Sequence, residues 1–242
     1  MRPDGAIRRV NAVAGVPEAD DLVVRAARLL QQETGTGLGA DIAVEKHLPM
    51  GGGLGGGSSD AATTLLALNR LWGTGLDRAR LQALGLRLGA DVPVFIFGRN
   101  AFGEGVGDRL QALELPPEWY VVVVPPVAVS TPAVFARPEL TRSTDPIRIA
   151  AFSTGWRQWR SAFGGRNDLE PVVRRMHPEV ARSLDWLAGF GDARMTGSGA
   201  CVFCGFETEH AAYEVLERKP ADIAGFVTRG LEEHPLRALV ED

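Results

Sequence analysis

The residues with the most chemical promise form a single run, Pro49-Met50-Gly51-Gly52-Gly53-Leu54-Gly55-Gly56-Gly57-Ser58-Ser59-Asp60. So many glycines close together carry an entropic cost in any element interior, which implies a backbone that bends tightly or admits a close approach. Successive N–H groups in such a loop, backed by the positive end of a following helix, make a concave anion site suited to phosphates. Ser58 and Ser59 stand where hydroxyls can cap that helix and also donate to a phosphate oxygen. A flexible linker is the plainer reading, but close flanking by a strand and a helix argues against it.

Other motifs fit less well. Gly51-x-Gly53-x-x-Gly56 has the spacing of a dinucleotide loop, yet nothing upstream supplies the opening strand and turn of a first βαβ unit with an acidic residue at the right distance. The Walker pattern fails because Gly57 is followed by Ser58 rather than lysine. A hydrolase elbow fails because Asp60 follows Ser58 by two, and Thr196 and Ala200 flank Ser198. Cys201 and Cys204 could suggest a redox pair or half a zinc site. Their segment reads as a strand, where positions three apart face opposite sides, so the two thiols do not converge.

The elements that must hold these residues follow from periodicity. Residues 20–32 read as a helix capped by Asp20 or Asp21 with Gly35 beyond its end, and residues 41–45 alternate like a strand. A helix is expected over 59–72, closed by Gly73, and another over 77–88, closed by Gly89. Residues 92–97 read as a strand, and 119–124 as a strand buried on both faces. The looser stretch 137–166 suggests a boundary, giving an N-terminal unit over 1–136 and a C-terminal unit over 137–242. In the second, a helix over 179–187 precedes the turn Thr196-Gly197-Ser198-Gly199, a strand over 200–206, a helix over 207–218 and a strand over 225–229. Alternation of helices and strands points to an α/β or α+β fold.

With 242 residues, 45% of them apolar, the chain is long enough to bury a sizeable core. A formal net charge of −4, from 26 basic and 30 acidic residues, supplies no global field to draw it to nucleic acid or an anionic bilayer. No run of signal-peptide or membrane-spanning length occurs, so a cytoplasmic location is the expectation.

Three ordered blocks together resemble the GHMP kinase superfamily. They are the glycine run with Asp60-Ala61-Ala62; Gly89-Ala90-Asp91-Val92-Pro93-Val94-Phe95 with 101–107; and Arg194-Met195-Thr196-Gly197-Ser198-Gly199-Ala200-Cys201-Val202-Phe203. The resemblance implies a ribosomal S5-like N-terminal unit, a ferredoxin-like C-terminal unit, ATP as phosphoryl donor and magnesium with it, no magnesium ligand being assignable. The long form of the loop matches a branch whose small-molecule substrate carries a diphosphocytidyl group and offers a hydroxyl to be phosphorylated.

On that resemblance, Pro49 to Ser59 wrap the ATP phosphates, Asp91 is the catalytic aspartate and Lys46 lies near the adenine. Thr131 and Phe135 line the cytidine end, and Thr196 to Gly199 close over the site. Plainer roles stand beside these: a cap or turn for Asp91, a solvated strand end for Lys46, core packing for Phe135 and a strand-entry turn for 196–199. The family's opening strand with its lysine, and the aromatic and histidine block that reads cytosine, are not matched before Asp4. The expectation is therefore an upstream start or an impaired copy. The family's Asn-Leu before its first helix is here Asp21-Leu22, which unsettles an adenine contact at that position.

Overall fold

The structure is a computed structural model that describes residues 1–115, 118–145 and 166–240. The chain forms two compact units, one of Met1–His47, Gly55–Glu114 and Leu231–Asp242, the other of Leu48–Leu54 and Leu115–Gly230. Residue 137, near which the boundary was expected, lies within the longer segment of the second unit, Leu115–Gly230, and residues 146–165 lie outside the described residues.

In the first unit, β1 (Ile7–Arg9) and β2 (Ala40–Ile42) pair in parallel with Ile7 opposite Ala40. Helix α1 (Leu22–Thr34) starts where the Asp21 carboxylate accepts from the N–H of Val23, and it stops at Gly35, whose φ of 67° lies in the left-handed region. Its buried face, Val23, Val24, Ala26, Ala27 and Leu30, packs with Ala61, Leu65, Leu66 and Trp72 of α2 (Gly56–Trp72) in one core. Helix α3 (Arg78–Leu88) is capped by Asp77 and adds Leu81 and Leu84 to that core. A hairpin of β3 (Ala101–Glu104) and β4 (Arg109–Ala112) follows.

Residues 92–97 form a helix, α4 (Val92–Phe97), where a strand was expected. A continuous run of six apolar residues does not reveal its period, and three neighbours decide the matter. Pro93 sits in the first turn, Gly98 ends the helix at φ 70°, and Gly85 of α3 leaves room for α4 to lie against it. A Cβ on Gly85 would stand 2.7 Å from Ile96 Cδ1 and 2.9 Å from Val92 Cγ1. Buried Arg78 ties the end of the unit together, donating to the carbonyls of Ile96 (2.7 Å), Arg237 (2.9 Å) and Val240 (2.6 Å).

The second unit is a four-stranded antiparallel sheet in the order β6-β7-β5-β8. Its chain order runs β5 (Trp119–Val124), α5 (Thr131–Phe135), α6 (Glu170–Met176), α7 (Pro178–Ala188), β6 (Arg194–Met195), β7 (Val202–Phe206), α8 (Glu209–Glu217) and β8 (Ala224–Arg229). Strand, helices, hairpin, helix, strand is the split arrangement of a ferredoxin-like fold, as expected. Central β5 pairs on both edges and buries Val121, Val122 and Val123 in succession, which accounts for its unbroken apolar run. Val121 and Val123 share a core with Leu184, Leu187, Met195, Val202, Cys204 and Ile223.

Candidate functional site

The glycine run is divided between the units, Leu48–Leu54 belonging to the second and Gly55 onward to the first. Helix α2 begins at Gly56, three residues before the expected start, so Gly56 to Ser59 form its first turn. Gly55 takes the cap position at φ 68°, and no side chain caps the helix; neither Ser58 nor Ser59 does so. The first intrahelical bond closes from the N–H of Ser59 to the carbonyl of Gly55 at 2.8 Å. The N–H groups of Gly56, Gly57 and Ser58 precede it and find no carbonyl within the helix, which leaves three donors at the positive end of a 17-residue helix.

Asp91 stands in the same unit at the start of α4. Its side chain is exposed and does not cap that helix, so the plainer role as a cap is not the one it fills. Helix α4 nonetheless faces the start of α2: a Cβ on Gly55 would meet the Phe95 ring at 3.0 Å. The second half of the block, 101–107, also returns to Asp91's neighbourhood. A Cβ on Gly107 would lie 3.2 Å from the carbonyl oxygen of Ala90. Lys46 Nζ is 2.5 Å from Asp60 Oδ2, so it is an ion-paired lysine beside the first turn of α2 rather than a solvated strand end.

Asp21 is buried and fully committed. It caps α1 and pairs at 2.7 Å with Arg9, both side chains being almost inaccessible, while Arg9 also donates to the carbonyls of Asn11 and Val16. A nucleotide contact at this position has no geometric support.

In the second unit the loop before α2 is held by the third block. Thr196 Oγ1 donates to the carbonyl of Gly53 at 2.8 Å, and the N–H of Cys201 donates to the carbonyl of Gly52 at 3.0 Å. Gly53 has φ 71°, and a Cβ there would lie 2.3 Å from the Thr196 carbonyl oxygen, so only glycine fits. Thr196 to Gly199 is therefore more than a strand-entry turn: it is the support against which the glycine loop rests. Thr131 joins it from α5, its hydroxyl 2.6 Å from that of Ser198.

Phe135 is not core; it is 54% exposed and lines a cavity of about 760 Å³ with Leu140, Arg142, Thr144, Arg166, Asp168 and Gly197 among others. Arg142 donates to the Phe135 carbonyl at 2.6 Å, fixing the end of α5, and Arg166 is tied to Asp168 at 2.7 Å. These arginines, and Asn167 beside them, went unnoticed in the sequence because they lie in or border the loosely patterned stretch. Cys201 and Cys204 are both buried and neither is in a disulfide, and burial pushes the Cys201 thiol up to about 11. Among the described residues no group of three His, Cys, Asp or Glu side chains could hold a metal. Nor is any helix among them long and apolar enough to cross a membrane.

Comparisons with known proteins bear on the family of the chain. Family models for the GHMP kinases N terminal domain and the GHMP kinases C terminal match residues 21–99 and 150–221. The 4-diphosphocytidyl-2-C-methyl-D-erythritol kinase of Thiobacillus denitrificans is 60% identical over 242 residues, covering 100% of this chain and 84% of that protein. The protein of the same name from Nitrosomonas europaea is 58% identical over 96% of this chain and 82% of its own length. A crystal structure of 4-(cytidine 5'-diphospho)-2C-methyl-D-erythritol kinase superposes with a TM-score of 0.74 at 35% identity, covering 93% of this chain and 82% of that one.

Proposed function

The chain belongs to the 4-diphosphocytidyl-2-C-methyl-D-erythritol kinases of the GHMP kinase superfamily, and from that membership we propose how its residues divide the work. The reaction moves the γ-phosphoryl of ATP to the 2-hydroxyl of 4-diphosphocytidyl-2-C-methyl-D-erythritol, in non-mevalonate isoprenoid precursor synthesis in the cytoplasm. The observation that carries the assignment is the glycine loop that runs into the uncapped start of α2 and rests on Thr196.

Phosphoryl transfer asks the protein chiefly for positioning and for stabilisation of charge on the phosphoryl oxygens. The donors of Gly56, Gly57 and Ser58 meet the second need, since N–H groups at an uncapped helix start are oriented to receive an anion and need no reorganisation when charge develops. Asp91 is the group that orients the substrate hydroxyl and accepts its proton; an exposed carboxylate uncommitted to its own helix suits that task. Phe135 offers an exposed ring at the rim of a cavity large enough for a nucleoside, where cytosine can stack, and Thr131 holds Ser198 of the supporting turn. Lys46 is assigned to the adenine side on the resemblance alone, its ammonium being engaged by Asp60. A magnesium ion bound with ATP would supply charge neutralisation at the phosphates. No magnesium ligand is assigned, since the described residues hold no group of three His, Cys, Asp or Glu side chains.

The test is direct. With ATP and the diphosphocytidyl substrate, the chain should release ADP and form a phosphate monoester visible by ³¹P NMR, and homoserine or mevalonate should not replace the substrate. Tight ATP binding with no monoester formed would refute the assignment.

A further inference from the structure

We propose that Asn167 is a positioning residue for the glycine loop, acting through the turn at Thr196–Gly199. The inference rests on the kinase reading above and deepens it, since it names what fixes the loop that receives the phosphates.

The Asn167 carboxamide is used at three points. Its Nδ2 donates to the carbonyl of Met195 at 3.1 Å and to that of Gly197 at 2.7 Å, while its Oδ1 accepts from the N–H of Leu169 at 3.0 Å. One side chain thus joins the approach to α6 to both ends of the Met195–Gly197 segment. Glu170, in the first turn of α6, accepts from the N–H of Met195 at 2.9 Å and adds a further tie to the same segment. That segment carries Thr196, whose hydroxyl reaches the Gly53 carbonyl, and the turn leads to Cys201, whose N–H reaches the Gly52 carbonyl. The linkage from Asn167 to the loop is therefore two hydrogen-bonded steps, all within the second unit.

The chemistry requires an amide. Two carbonyl oxygens converge on Nδ2, so an oxygen in its place would meet them with its own lone pairs. Aspartate at this position has the same shape and retains the acceptor for Leu169, which preserves the entry to α6 while reversing the interaction with the turn. Asn167→Asp therefore separates a loop-positioning role from a helix-capping one.

Cys201 provides a reporter that does not depend on nucleotide. Its thiol is buried, and its sulfur lies only 2.8 Å from where a Cβ on Gly52 would stand, so it is covered by the loop in question. In a Cys204→Ala background, the rate at which an aromatic disulfide reagent labels Cys201 measures how often the loop lifts from the turn. Asn167→Asp should raise that rate about tenfold or more with the melting temperature changed by no more than about 3 °C, and should raise KM for ATP about tenfold with kcat within about threefold. Thr196→Val breaks the second step and should act in the same way. The double variant should lose little beyond the worse single one, because both cut one linkage.

An unchanged labelling rate in Asn167→Asp would overturn the proposal, as would additive effects in the double variant. Faster labelling with an unchanged KM for ATP would overturn the link to nucleotide binding. Should the unsubstituted chain fail to bind ATP at all, the kinase reading falls, while the labelling rates still decide whether Asn167 holds the loop.

Discussion

Placing a methyl group on the glycine loop at two positions separates backbone conformation from close approach. Gly51 and Gly53 both have φ 71°, so alanine at either position enters the left-handed region at a cost of about 1–2 kcal/mol. Their surroundings differ. A Cβ on Gly51 meets nothing within 4 Å, whereas on Gly53 it would lie 2.3 Å from the carbonyl oxygen of Thr196 and 2.9 Å from that of Gly199. A carbon needs roughly 3.3 Å from such an oxygen, and the obstacle is backbone that cannot rotate aside, so loop and turn must part by about 1 Å. A displacement of that size at a reacting group costs about a hundredfold in rate. Gly51→Ala should lower the melting temperature by about 2–8 °C and affect kcat/KM for ATP by about tenfold at most. Gly53→Ala should lower kcat/KM at least about tenfold further. Steady-state kinetics with varied ATP, alongside thermal melts, make the comparison. Equal kinetic losses in the two variants would refute the reasoning, since they would show that contact with Thr196 sets nothing.

Asp91→Asn should reduce kcat by about two to four orders of magnitude while KM for ATP stays within a few-fold and the melting temperature holds, because the carboxylate caps nothing; near-normal turnover would make it structural. Asp21→Ala strands a buried Arg9 and should cost about 3–5 kcal/mol with KM for ATP within about threefold, as read from urea titrations and kinetics. The Cys201 thiol keeps its proton in the folded chain up to about pH 11, whereas the unfolded chain releases it near 9.0. Between those values the unfolded state binds fewer protons, so stability should fall as pH rises, by at most about 1.4 kcal/mol per pH unit. Urea midpoints at pH 7.5, 9 and 10 should show that fall, and it should be smaller in Cys201→Ala.

The sequence disclosed elements whose signals are local. A cap at Asp20 or Asp21, which the structure places at Asp21, Gly35 and Gly73 as stops, and the uninterrupted valines of β5 each state their role within a few residues. What stayed hidden depended on partners far along the chain. The helix at Val92–Phe97 is decided partly by the missing side chain of Gly85, and the cap position of α2 places Gly55 where a Cβ would meet the Phe95 ring. The same holds at the site. The glycine loop announced itself by composition, and Asp91 by its block, but the support under the loop comes from residues nearly 150 positions away, as the span of 143 between Thr196 and Gly53 shows. Asn167 has no periodicity or motif of its own, and its importance lies in two carbonyls that only the fold brings to it.

Arg78, clamped on the carbonyls of Arg237 and Val240, has a consequence for the birth of the chain. A ribosome delivers residues in order at about 5–20 per second, and domains built from one stretch can close as soon as that stretch has emerged. Here the first unit includes Leu231–Asp242, and the last strand of the second ends at Arg229. The first unit thus takes in residues made after the second is complete. Until Arg237 and Val240 leave the exit tunnel, the Arg78 guanidinium lacks two of its carbonyl partners, and the helices around it wait with part of their apolar surface open to any chaperone that passes.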